Sequence, residues 1–121
     1  MIAELKELYS LDVECPLQEF VPEQADYFEL TVRAMFGPVG EDGSESFQIE
    51  ICTPKWLQAR CDAGEIIGGR HTLIVGEFNF AKIRDYLDAL CRRCCGGNWT
   101  EISQKLSRYG QWEFEDYRPS P

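Results

Sequence analysis

Positive charge is scarce in this 121-residue chain. Twelve Lys and Arg stand against 21 Asp and Glu, for a net charge of -9, and His71 is the only histidine. Phosphate binding needs a basic footprint, so the deficit argues against nucleic acid and anionic membrane as partners and favours a basic one. Long apolar runs are missing as well. Nowhere do about 18 uncharged apolar residues follow one another, as a membrane-spanning helix requires. The opening Met1-Ile2-Ala3-Glu4-Leu5-Lys6-Glu7 carries an acid by its fourth residue and has no apolar core of leader length. It predicts a cytoplasmic protein. In that compartment the six cysteines, Cys15, Cys52, Cys61, Cys91, Cys94 and Cys95, are expected as thiols and not as bridges.

Motifs that carry chemistry are equally sparse. No Gly-x-Ser-x-Gly elbow supplies a nucleophile for His71, which within a sheet reads as a hydrogen-bonded structural residue. Gly68-Gly69 leads into an apolar strand pattern and not a helix, so no phosphate loop or dinucleotide fingerprint is present. Cys91-Arg92-Arg93-Cys94 has Cys-x-x-Cys spacing, but a structural zinc site needs a second ligand pair. Cys91 and Cys94 also fall on the apolar stripe of a helix, where thiols serve as small hydrophobes. With 21 acids, carboxylate pairs abound, yet no pair stands out as an acid and base with separated pKa values. No catalytic residue, metal or cofactor is expected.

Periodicity places the elements. Residues 1–9 fit either a helix or a short edge strand, and 14–26, with Pro16 and Pro22, reads as loop. From Phe28 to Phe36 apolar and polar residues alternate, and Gly37-Pro38 stops the run. Ser46 to Thr53 alternates again, with Phe47, Ile49 and Ile51 inward, so the two segments predict a hairpin. Thr53 and Pro54 mark the start of a short helix. Arg70 to Phe78 reads as a strand, apolar on both faces at Leu73-Ile74-Val75, which points to mid-sheet. Asn79 caps a helix with Phe80, Ile83, Leu87, Leu90, Cys91 and Cys94 on one stripe. Asn98 and Glu101 have capping-box spacing ahead of a second helix, whose stripe is Trp99, Ile102, Leu106 and Tyr109, with Gly110 as C-terminal cap. A last strand alternates Trp112 and Phe114 with Glu113 and Glu115. The expectation is one α+β domain over 1–121: a mostly antiparallel sheet of four to five strands, two C-terminal helices packed on one face, and a short helix after the second hairpin strand.

Surface acids are the candidates for contact. Glu29, Glu50 and Glu77 on neighbouring strands, with Glu113 and Glu115, are expected to line an acidic sheet face. Asp116 and Tyr117 lie just beyond, Tyr117 in an anchoring role. Trp56 either pins the short helix to the core, with Leu57, or stands at the surface as a contact anchor. Charge complementarity chiefly speeds encounter and selects the partner, while buried aromatics hold a complex together.

Several segments together resemble the immunity protein 8 family. They are Met1-Ile2-Ala3-Glu4-Leu5-Lys6, Ala34-Met35-Phe36-Gly37-Pro38, Cys52-Thr53-Pro54-Lys55-Trp56-Leu57, Gly69-Arg70-His71-Thr72-Leu73-Ile74-Val75 and Trp112-Glu113-Phe114-Glu115-Asp116-Tyr117. The resemblance implies a bacterial cytoplasmic antidote encoded beside a polymorphic or contact-dependent toxin, neutralising its toxin domain by stoichiometric non-enzymatic binding; the acidic surface points to a nuclease or another enzyme with a basic substrate cleft as that toxin. Such families diverge at the surface that meets the toxin, so the resemblance assigns no contact residue. It leaves Cys91 to Cys95 without a role, and the chain as a monomer or a homodimer. The alternatives are a small acidic adaptor or nucleic-acid mimic, and a small hydrolase using His71.

Overall fold

Alternation between Glu29 and Pro38 builds the longest strand, and its apolar half decides where the core lies. The computed structural model describes residues 1–114. In chain order the elements are β1 (Ala3–Tyr9), β2 (Glu29–Pro38), β3 (Glu45–Cys52), α1 (Pro54–Asp62), β4 (Thr72–Ile74), α2 (Phe80–Arg92), α3 (Trp99–Leu106) and β5 (Gln111–Trp112), with a 3-10 turn at Leu17–Glu19. β2 and β3 form the antiparallel hairpin, with Leu30 opposite Ile51, Val32 opposite Ile49 and Ala34 opposite Phe47. β1 pairs antiparallel with β2, so residues 1–9 resolve as an edge strand, bulged between Leu5 and Glu7. The far edge of β3 is divided. β5 runs antiparallel to it at Phe47 and Gln48, and β4 runs parallel to it at Glu50, Ile51 and Cys52. The architecture is α+β with a five-stranded, mostly antiparallel sheet.

Val32, Ala34, Phe36, Phe47, Ile49 and Ile51 form one buried cluster with Ile83, Leu87, Leu90 and Cys91 of α2 and Ile102 and Leu106 of α3. Each fully buried large side chain in it contributes roughly 2 kcal/mol of transfer free energy. Both helices start where their caps indicate. Asn79 Oδ1 accepts from Lys82 N at 3.1 Å and Asn98 Oδ1 from Glu101 N at 2.9 Å, satisfying amides that the first helical turn leaves unpaired. Thr53 caps α1 by accepting from Trp56 N at 3.4 Å, and the same hydroxyl accepts from Phe28 N at 3.3 Å, tying the helix start to the start of β2. All six cysteines are free thiols; Cys52, Cys91 and Cys94 are buried. No helix among the described residues is long and apolar enough to cross a membrane.

Several expectations need correction. The strand expected over 70–78 at mid-sheet is the three-residue edge strand β4, and Ile74 is 57% exposed. Leu73, opposite Ile51, and Val75 pack against the core while Ile74 faces water; apolar residues on both faces here mean one face left exposed. Glu77 therefore sits in the loop before α2 and not on a strand. Tyr109, assigned to the α3 stripe, is 44% exposed because the helix ends at Leu106, three residues earlier. Gly110 is not a left-handed cap. A Cβ there would lie 3.0 Å from both Ile49 Cγ1 and Phe47 Cβ, so close approach to β3 leaves little room for a side chain. The last strand stops at Trp112. That ring is half-buried and stacked on Phe47 at 6.5 Å, while Phe114 packs edge-on against it and stays exposed.

Candidate functional site

Pairing register, and not sequence proximity, assembles the candidate site. Because side chains alternate across a strand, burial of Leu30 and Val32 sends Glu29, Thr31 and Arg33 to the opposite face. Thr31 is paired with Glu50, and Arg33 with Gln48. The Thr31 hydroxyl donates to Glu50 Oε2 at 2.6 Å. Glu29 lies diagonally across from Glu50, near enough that each carboxyl feels the other. Glu29 is pushed up from 4.5 to about 7. Loss of water around its carboxyl is the first cause, although the residue as a whole is exposed. The closeness and charge of Glu50 follow, then the charge of Asp12, with the Thr31 hydroxyl pulling the other way.

The loop after β1 closes one side of this pair. Asp12 Oδ2 accepts from Thr31 N at 2.9 Å, and the Ser10 hydroxyl donates to the Thr31 carbonyl at 2.6 Å, so side chains continue the ladder where β1 has ended. Cys52 shares the face, opposite Glu29. Its thiol is pushed up by burial and then by the charges of Glu29 and Glu50, which leaves it a poor nucleophile. Asp12 and Thr31 are the site residues that sequence reasoning missed. Neither carries a local signal, since only the register places them beside the glutamates.

The remaining candidates are dispersed. Glu113 accepts from Ser46 N at 2.8 Å and donates its own N–H to the Ser46 carbonyl at 3.0 Å, extending the β5 pairing by side chain and backbone. Ser46 is four residues from Glu50 along β3, roughly 13 Å at strand rise. Glu77 is exposed beside β4 and α2, and Trp56 is half-buried on α1, a helix with no fully buried residue. Glu115, Asp116 and Tyr117 lie outside the described residues. His71 is held away from the acids, with Nε2 donating to the Ser107 carbonyl at 2.7 Å.

Chemically, a carboxyl pushed up beside another acid responds to a cation. A guanidinium or ammonium brought against Glu29 favours its charged form and releases its proton. No group of three or more His, Cys, Asp or Glu among the described residues is placed to hold a metal ion.

The apolar side of this sheet shares one buried cluster with α2 and α3, and the other side carries paired acids held in register, which makes the chain a small α+β domain with an acid-bearing sheet face. By its sequence it belongs to the immunity protein 8 family, whose model matches residues 3–117. That family comprises immunity proteins of toxin systems, for which the partner is a toxin protein. No curated protein and no solved structure matches the chain.

Proposed function

We propose that this protein neutralises a cognate bacterial toxin domain by stoichiometric, non-enzymatic binding in the cytoplasm, and that the acid-bearing sheet face around Glu29 and Glu50 is the contact surface. The observation that carries this reading is the register that sets Glu29 and Glu50 side by side, with Glu50 braced by Thr31 and Asp12 alongside, on a chain of net charge -9. Maintaining two glutamates side by side costs stability in the free protein. A cationic partner offsets that cost, and a basic substrate cleft, such as that of a nuclease, has the required chemistry. Glu113 at the far end of β3 extends the same polarity. Glu77, Trp56, Glu115, Asp116 and Tyr117 are proposed as peripheral contacts.

Co-expression with the toxin domain encoded immediately upstream tests the role. The protein should restore growth against that toxin and fail against unrelated ones. Growth arrest with both proteins soluble would overturn the reading, and protection against many unrelated basic toxins would favour a general acidic mimic instead.

A further inference from the structure

The edge formed by β4, which pairs with β3 at Glu50, has the reverse character. β4 ends the sheet, and bonds of 2.9 Å from Glu50 N to the His71 carbonyl and from Val75 N to the Cys52 carbonyl fix which of its residues face β3. In a parallel ladder the backbone groups alternate, so those of Thr72 and Ile74 point outward, where they have no backbone partner among the described residues. β1, the other edge, is blunted by its bulge at Lys6; β4 has no such interruption.

Alongside β4 lie two adjoining recesses, of about 380 and 180 Å³, that share Leu73 and Tyr86. The smaller is floored by the core residues Ile49, Leu87 and Leu90. Around the mouths stand Ile74, Tyr86 and Tyr109, respectively 57%, 51% and 44% exposed. Among the described residues that line the two recesses, Lys82 and Arg108 bring positive charge and Glu77 is the one acid. Lys82 and Arg108 form no ion pair among the described residues. The rim is also held in advance of any partner. His71 has φ 57, a left-handed conformation unusual for a residue with a side chain, kept there by its bond to the Ser107 carbonyl.

We propose that this basic-rimmed groove is a second docking surface for the toxin, taking an extended toxin segment in which an apolar side chain is flanked by carboxylates. This rests on the reading of the chain as a toxin-binding inhibitor. The segment would lie along β4 and exchange hydrogen bonds with the backbone of Thr72 and Ile74. Its apolar side chain enters the smaller recess, which has room for one such group, and its carboxylates meet Arg108 and Lys82. Tyr and Arg are the residue types that most often anchor interfaces, so Tyr86 and Arg108 carry the binding.

The test is the affinity of the toxin domain, separated from the co-expressed complex, for the unaltered protein and for Tyr86→Ala, Arg108→Glu and Arg108→Lys, with folding checked by circular dichroism. Tyr86→Ala and Arg108→Glu should each weaken binding by about tenfold or more, mainly through faster dissociation, with Arg108→Lys losing much less. If both lie within about twofold of the unaltered protein while Glu50→Lys still weakens binding, the groove makes no contact and the inference is overturned. A dimer of the free protein that Arg108→Glu dissociates would give the groove to a second copy and overturn it as well. No binding by the unaltered protein would overturn the inhibitor reading itself, and the groove's role with it.

Discussion

Thr31 donates its hydroxyl to Glu50 across the β2–β3 ladder at 2.6 Å, and so holds one carboxylate of the acidic face in place beside Glu29. A bond to a charged acceptor is stronger than a neutral one. It anchors the Glu50 carboxylate beside Glu29, whose carboxyl is pushed up.

The first consequence is a dependence of stability on pH. Glu29 has an ordinary value of 4.5 and is held at about 7 in the folded chain, so the folded state binds its proton more tightly than the unfolded state. Its contribution is fully present below about pH 4.5 and is lost as pH rises through about 7. Urea midpoints measured from about pH 5 to 8 should therefore fall through this contribution, and Glu29→Gln, which keeps a neutral side chain, should flatten that part of the curve. An unchanged slope in Glu29→Gln would place the titrating group elsewhere.

Asp88 should behave in the opposite sense. Its Oδ1 accepts from Leu5 N at 3.0 Å, beside the β1 bulge, and its Oδ2 from Arg92 Nε at 2.8 Å, joining α2 to the edge strand. Burial works against its charged form, but the bonds from Leu5 and Arg92 prevail and hold it below 3.8. Its contribution is present above that value and is lost as pH falls through the lowered one. Asp88→Ala leaves the Leu5 amide unpaired and should cost about 2 kcal/mol in chemical denaturation at neutral pH. A cost within error of zero would show that water replaces the carboxylate.

Gly37, buried near the end of β2, tolerates no side chain. A Cβ built there collides with the Gly43 carbonyl oxygen and lies 2.9 Å from Lys6 Cε. The lysine can swing aside, but the Gly43 backbone has to move. Gly37→Ala should destabilise the fold by about 2 kcal/mol, the range for forcing volume into a closed site. Gly68→Ala, where a Cβ meets nothing within 4 Å, serves as the control.

For His71 the comparison is between two substitutions. Both His71→Ala and His71→Gly delete the bond to Ser107, but only alanine keeps the left-handed strain at φ 57. His71→Gly should accordingly be more stable than His71→Ala by about 1 kcal/mol, despite removing more atoms. Equal thermal midpoints would mean that the turn relaxes when the ring is gone.

What could be read from the sequence was what local chemistry decides. Thr53, Asn79 and Asn98 start helices through bonds to residues three positions on, so capping was visible without a fold. Alternation around Val32 and Ile49 announced the hairpin. The position of β4 was not visible, because whether Leu73-Ile74-Val75 has neighbours on one side or two depends on β5 occupying the other half of the β3 edge. Gly110 looked like a helix cap because its real constraint, the closeness of Phe47 and Ile49, is tertiary. At the site, Glu29 and Glu50 are candidates as surface acids from sequence, but their adjacency follows from the pairing of Thr31 with Glu50. Asp12 joined them through a loop that carries no pattern.

The most direct test is the association rate of the toxin domain with the unaltered protein and with Glu29→Lys and Glu50→Lys, measured from low to high salt. Docking on the acidic face predicts an on-rate that falls by about tenfold or more as salt rises, and charge-reversed variants that start lower and vary less with salt. An on-rate that is flat across the salt range and identical in all three proteins would contradict it.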